Sequence, residues 1–495
     1  MPRWFYWVCA LAMAVAWLLP YPPVKFAIFA MFGLIFVSFY RTAPERTLFV
    51  FLLGMPVLDL IPATMFPLPG LNAETIVIGA LFAAGVTSQR QQEQPAPENP
   101  FTLPVAYYAI VMAVSGVRSY LSGVGEAAEL LASVKNQIFF VFLAPIAFRL
   151  IHTEKHLRTA LNLIALTCTL VSLHALWLTR DTLLRGLMLE RNRAVGLVAG
   201  QSNLFGGFLA MMILIFVAVL LGRDLKFRVR LGYMALVAAM GGALLMTLSR
   251  GSWLALLLGL SALALLRGAR AVAFVLAVAL TAPLWLPEKV VERVQHTFQG
   301  RQSTDDQLLE DSAQVRLDQW KALPTIVAEA PIFGHGFQSF RHRWARYAAD
   351  GEPKAAHSMW VEFLAEEGLV GIAAYLWLLG LLGFTALRVW LGRDGGLVRD
   401  VALGLMCAIL CLALLDTSGT RFRNREVMAY IWVLGGALAR FAVERRRKRG
   451  DAGTSTAGPT QPDRRRKPTW TRPRRPPDGL QKCSSYISIV ASGKS

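Results

Sequence analysis

Two kinds of side chain in this sequence could do chemistry where they stand. His357 lies just ahead of a long apolar run. An imidazole with an unperturbed pKa of about 6.5 can take a proton from a hydroxyl near neutral pH. Arginines gather in two polar segments, Arg180, Arg185, Arg191 and Arg193 in one and Arg421, Arg423 and Arg425 in the other. Arg250 sits by itself in the junction Ser249-Arg250-Gly251-Ser252, with apolar sequence directly on both sides. A guanidinium fork suits phosphate oxygens and other anions. Each feature also has a plainer explanation: a solvated histidine at a helix end, arginines paired with lipid headgroups, and an Arg250 that snorkels to the surface. For Arg250 that explanation is weak, because the junction offers little loop to escape into, and charges held against apolar spans are expensive.

The elements that must position these residues are membrane helices. Hydrophobic residues make up 55% of the chain and charged residues only 17%, against roughly 25% in soluble domains. Mean hydropathy is +0.45. About 20 apolar residues cross the hydrocarbon core as a helix. Candidate spans run over 5–20, 24–40, 47–64, 74–88, 102–118, 136–150, 157–178, 203–221, 230–248, 252–266, 271–286, 359–390, 401–415 and 427–443. The fold class is therefore an all-α polytopic membrane protein with about 12–14 transmembrane helices. The first apolar stretch reads as a retained helix rather than a signal peptide, since another span follows at once. The organisation expected is a membrane domain at 1–286, a large helical loop at 287–358, membrane helices at 359–443 and a basic tail at 444–495. The Pro-, Arg- and Thr-rich tail is expected to be disordered.

The net charge of +19 does not point to nucleic acid. Much of it lies in short loops between alternate spans and in the tail. All these loops fall on one side, which the positive-inside rule makes cytoplasmic, with both termini. The other face collects 180–203, 249–252, 287–358 and 416–426. Two of those segments are arginine-rich against the orientation rule, which is why an anionic ligand is considered. The five cysteines are scattered with no zinc-ligand spacing.

The loop at 287–358 is too long for a connector. A helix is expected over 312–330, with Asp311 or Ser312 as cap and Val315, Leu317, Trp320, Leu323 and Val327 as its apolar residues. Pro331 should stop it. Gly334-His335-Gly336 should turn, 337–347 should be a basic helix, and the next span should begin near Ala356 with His357 at its outer end. Glu366 and Glu367 read as interfacial helix residues. Asp416 could pair with Arg421 or Arg423, and Asn203 could cap its span or bind a ligand. His342, His152 and His156 read as surface residues, and His174 as a packing residue.

Three segments on the outer face together carry a resemblance. They are Arg193-Ala-Val-Gly196 with Gln201-Ser-Asn203-Leu-Phe-Gly206; Leu248-Ser-Arg250-Gly-Ser-Trp253; and Gly334-His-Gly336-Phe-Gln-Ser-Phe340 with His357-Ser-Met-Trp-Val-Glu-Phe-Leu364-Ala-Glu-Glu-Gly368. In order, spacing and shared side they resemble the O-antigen ligase and polymerase superfamily of bacterial inner-membrane proteins. Arg316 and Trp320, ahead of Pro331-Ile-Phe-Gly334, also fit its pattern. The likeness covers about 191–371. The sequence departs from the family at His357-Ser358, where His-Asn is common, and at Ser202-Asn203, where Pro-Asn is common.

The resemblance implies a glycosyltransferase of the membrane-embedded GT-C type. Such an enzyme moves a glycan from undecaprenyl diphosphate to lipid A-core, a growing glycan chain or a protein hydroxyl at the periplasmic face, without a metal or other cofactor. On that reading His357 is the general base, and Arg193 and Arg250, with Arg191 as partner, bind the diphosphate. Asn203, His335 and Arg316 are candidate substrate contacts. Ligase, O-antigen or exopolysaccharide polymerase and protein O-glycan ligase all stay open. A transporter of lipid-linked glycan is the competing class. Transporters place polar groups and broken helices near mid-membrane, whereas here the polar residues of interest crowd one face.

Overall fold

The computed structural model describes residues 33–58 except 36, 40 and 41, then 73–90, 97–184, 193–195, 201–222, 225–269, 271–273, 276, 280, 281, 304–348, 351–392 and 395–455. Among these residues the secondary structure is helical, without strands. The chain divides into Met1–Arg447 and Lys448–Ser495, and the site lies in the first unit.

In chain order the helices are α1 (Pro44–Leu58), α2 (Ala73–Arg90), α3 (Thr102–Leu121), α4 (Ala127–Val141), α5 (Leu143–Leu150), α6 (Glu154–Leu184), α7 (Ser202–Leu220), α8 (Phe227–Met246) and α9 (Arg250–Arg267). The loop region holds α10 (Thr304–Glu329) and α11 (Phe340–Trp344). Then α12 (Met359–Glu362) runs through a π-turn at Phe363–Glu367 into α13 (Gly368–Trp390), followed by α14 (Leu397–Leu415) and α15 (Arg425–Ser455). Eight segments among the described residues are long and apolar enough to cross a membrane. The expected spans at 5–20, 24–40 and 271–286 lie wholly or mostly outside the described residues. Helix α2 is a short apolar element, and α3 is diluted by Tyr107, Tyr108, Ser115, Arg118 and Ser119.

Burial separates the centre of the bundle from its rim. Within their apolar windows α15 is 83% buried and α7 is 78% buried, whereas α9 is 28% buried. The rim helices turn leucines such as Leu254, Leu257 and Leu265 outward, as a lipid-facing surface requires. Central helices approach closely through small residues, which is how helices associate in lipid. A Cβ on Gly404 of α14 would lie 2.6 Å from the Ile215 Cα of α7.

The ends of the bundle are polar and distinct. At one end Arg267 reaches Asp400 at 2.6 Å and the Ala218 carbonyl at 2.7 Å, and Arg230 donates to the Gly222 carbonyl at 2.9 Å. These are the loops expected to share the basic side. The segments at 193–195, 201–203, 247–252, 334–340, 357–367 and 416–424 meet at the other end.

Candidate functional site

The first part of the site is built on the α8–α9 junction. Helix α8 ends at Met246, and Leu248 adopts φ 52°, a left-handed conformation that is unusual for a non-glycine residue. The reversal is tied down locally. Ser249 N–H donates to Thr247 Oγ1 at 3.3 Å, and the Ser249 and Ser252 hydroxyls lie 2.9 Å apart. Arg250 is thereby placed at the first turn of α9, half-buried. Arg193 packs against the same reversal. Its Nε donates to the Thr247 carbonyl at 2.8 Å and its Nη2 to Asn203 Oδ1 at 2.7 Å. Asn203 therefore holds Arg193 and does not cap α7, whose N-cap residue is Gln201. Arg191 lies outside the described residues.

The second part centres on Asp416 at the end of α14. Its carboxylate accepts the Tyr375 hydroxyl at 3.0 Å and the backbone N–H groups of Arg421 at 2.8 Å and Phe422 at 3.3 Å. The expected pairing with an arginine is thus met through the main chain. Burial pushes the Asp416 carboxyl up to about 7, while the nearby Arg421 charge and the hydrogen bonds pull it back. The Arg421 guanidinium is buried, donates to the Leu415 carbonyl, and reaches the Asn203 carbonyl at 3.4 Å. Asp416 also fixes the approach to α12: its carbonyl accepts Met359 N–H at 2.9 Å and Ser358 Oγ–H at 3.4 Å.

That contact changes the expected position of His357. The helix begins at Met359, not near Ala356, because Ser358 is extended (φ −152°, ψ 130°) and the first helical amide is satisfied by the 416–419 loop. His357 is accessible and precedes the helix. Its backbone N–H donates to Gln319 of α10 at 3.4 Å, and Gln319 Nε2 donates to the Ala355 carbonyl at 3.0 Å. Surrounding protein and then the Arg316 charge lower the His357 pKa, so the imidazole is neutral at pH 7. Burial also lowers the pKa of Arg316, and its Nε is buried without a hydrogen-bond partner among the described residues. Arg316 further depresses Arg421. Asp416 links the two segments: its carboxylate accepts Arg421 N–H and its carbonyl accepts Met359 N–H, two residues after His357.

The third part was not foreseen. The π-turn inserts an extra residue between α12 and α13, a distortion often found at functional sites. It turns both Glu366 and Glu367 inward, and both are buried rather than interfacial. With Glu362 they surround Arg423, at 3.1 Å (Glu362), 2.7 Å (Glu366) and 2.5 Å (Glu367). Ser115 Oγ–H supports Glu367 at 3.1 Å. Carboxylates spaced within an apolar run, opposite an Arg-x-Arg-x-Arg loop, were the available signal. Beside this knot is a cavity of about 260 Å³, reached by Gln137, Leu204, Phe337, Gln338, Glu362 and Arg423.

The Gly334-His335-Gly336 turn explains how the π-turn is tolerated. His335 and Gly336 N–H groups donate to the Ala365 and Glu366 carbonyls at 2.9 and 2.8 Å. In return Leu369 and Val370 N–H groups donate to the Pro331 and Ile332 carbonyls. The His335 side chain points away from this contact: it is 5% exposed, and its Nε2 lies 2.8 Å from the Ile326 carbonyl. His335 is a candidate substrate contact from its sequence position; in the fold its described side-chain partners are the Ile326 carbonyl and Glu329. Gly334 has φ 62°, and a Cβ there would run into the Glu366 backbone. Gly334→Ala is therefore expected to destabilise the protein by about 3 kcal/mol or more, read as a lower unfolding midpoint in detergent. An unchanged midpoint would contradict this interlock.

Fold and site together define a multi-pass helical membrane protein with a charged, hydrogen-bonded pocket at one end. Residues 235–376 match the family model described as O-antigen ligase, which bears out the resemblance to the O-antigen ligase and polymerase superfamily. The family implies an enzyme of the ligase or glycosyltransferase type. The matched segment includes Arg250, Arg316, the Gly-His-Gly turn, His357 and the π-turn. Arg193, Asn203, Asp416, Arg421 and Arg423 fall outside it and reach it through the contacts described. No curated protein matches the chain.

Proposed function

We propose that this protein is a membrane glycosyltransferase that moves a glycan from undecaprenyl diphosphate to an acceptor hydroxyl at the periplasmic face of a bacterial inner membrane. The observation that carries the reading is a chain of contacts at one end of the bundle: Met359 N–H, two residues after His357, donates to the Asp416 carbonyl, Arg421 N–H donates to the Asp416 carboxylate, and Asn203 touches both Arg421 and Arg193. An imidazole that can accept a proton stands at the same end of the bundle as these cations.

The chemistry follows from those properties. The acceptor oxygen attacks the anomeric carbon and gives its proton to His357. The bond from that carbon to the phosphate oxygen breaks, and the diphosphate leaves with the bonding electrons. Its growing charge is met by Arg193, Arg250, Arg316 and Arg421, whose charge is permanent and whose donors are already oriented. Asn203 acts through Arg193 by holding it. Lipid A-core, a growing glycan and a protein hydroxyl remain alternative acceptors.

Arg193→Ala should lower kcat/KM for release of undecaprenyl diphosphate by about 10- to 1,000-fold, with the protein still folded. Equal rates would remove Arg193 from the diphosphate site. Sidedness has a separate check. A reporter fused after Arg270 should read cytoplasmic and one within 302–307 periplasmic; the reverse pattern would sink this mechanism.

A further inference from the structure

The cavity beside Arg423 has a chemistry that the transfer step does not use. Its wall presents two carboxyl groups, Glu362 and Glu366, and one guanidinium, Arg423, which also bonds Glu367 behind the wall. Even with one carboxyl protonated, that wall carries no net positive charge. It differs from the arginine-rich pocket next door, because its one guanidinium is already paired with carboxyl groups and offers an anion no open cation. Arg423 Nε is buried without a hydrogen-bond partner among the described residues, and its guanidinium lies over the rings of Phe363 at 4.7 Å and Phe337 at 5.2 Å. Gln137 from α4 and Gln338 add amide groups that can both donate and accept. Gln338 reaches the cavity from a left-handed backbone, φ 61°.

Carboxylates that accept, amides that do both and an aromatic edge suit a ring bearing several hydroxyl groups. At about 260 Å³ the space is just under the roughly 300–1,000 Å³ of ordinary ligand pockets, so it takes one ring and not an extended chain. Its position matters equally. Leu204 in its wall directly follows Asn203, the residue that touches both Arg193 and Arg421. A sugar attached to a diphosphate held by those arginines would have its ring within reach of this cavity.

We propose that the cavity is a pyranose subsite selective for neutral or amino sugars over uronic acids. The ligand class rests on the transferase reading; the charge selectivity rests on the wall itself. An ammonium or hydroxyl on the ring finds acceptors in Glu362 and Glu366, whereas a carboxylate finds acceptors and an Arg423 already engaged.

The test uses the full chain in detergent and saturation-transfer NMR with free N-acetylglucosamine, glucosamine and glucuronate, plus inorganic pyrophosphate followed separately by phosphorus NMR. The first two sugars are expected to receive saturation and glucuronate at least fivefold less. Gln137→Ala, which leaves the Arg423 ion pairs intact, should reduce the sugar signals at least fivefold. Glu362→Gln should narrow the gap between glucosamine and glucuronate. The proposal is overturned if no sugar receives saturation, if glucuronate matches glucosamine, or if Gln137→Ala changes nothing. Pyrophosphate binding without sugar binding would reject the subsite and leave the transferase reading standing. Sugar binding with this selectivity but without pyrophosphate binding would support the subsite and count against the arginine pocket.

Discussion

His357→Ala should lower glycan transfer by about 100- to 10,000-fold, the usual worth of a positioned acid–base group, while the protein stays folded. The side chain is accessible and precedes α12, so its removal leaves no buried cavity, and the backbone contact to Gln319 survives. The pH profile is a second readout. A base works in its neutral form, so activity is full above its pKa and falls as pH drops through it. Protein burial and Arg316 hold that pKa below the ordinary histidine value, so the acid limb should lie below about pH 6.5. Removing the Arg316 charge with Arg316→Gln should move the limb upward. Turnover of the folded His357→Ala protein at the wild-type rate would reduce His357 to a residue at the mouth of the site.

Arg423→Leu should destabilise the protein by about 3–5 kcal/mol. The loss does not come from one ion pair. It leaves Glu362, Glu366 and Glu367 facing one another, with Glu366 and Glu367 buried. Arg423→Lys should recover only part, because an ammonium cannot fork between two carboxylates as the guanidinium does. The exposed Lys321–Asp318 pair is the contrast, and Lys321→Ala should leave the unfolding midpoint nearly unchanged. Unfolding midpoints in one detergent decide the matter. An Arg423→Leu protein as stable as wild type would mean that the carboxyl groups are protonated and the knot is not held by charge.

Much of the bundle is legible in the sequence because lipid imposes a blunt requirement, a helix of about 20 apolar residues. The expected spans at 203–221 and 401–415 coincide within a few residues with Ser202–Leu220 and Leu397–Leu415. The loop helix expected over 312–330 ends where Pro331 says it should, but starts earlier, at Thr304. The polar residues ahead of Ser312 carry no apolar periodicity to reveal them. The structure brings the sequence candidates His357, Arg193 and Arg250 to the same end of the bundle, and their roles there are the proposal. Their supports were not legible. Nothing in a 3.6-residue period indicates that a π-turn will bring Glu366 and Glu367 round together, so they read as ordinary interfacial acids. The type and place of Asn203 fit a cap or a ligand contact equally, and only the fold shows Arg193 within 2.7 Å of it. Asp416 was expected to meet a guanidinium, whereas the tight 416–422 loop offers it main-chain N–H groups at shorter reach.

The central claim is that the glycan–diphosphate bond is broken and not merely carried across the membrane. The most direct measurement reconstitutes the purified protein in liposomes with an undecaprenyl-diphosphate-linked glycan and an acceptor extract, in EDTA. Free undecaprenyl diphosphate is then followed beside glycan-bearing acceptor. The account predicts that both products appear together, in equal amounts, and only when acceptor is present. Movement of intact lipid-linked glycan between leaflets, with no release of undecaprenyl diphosphate under any acceptor, would contradict it and make the protein a transporter.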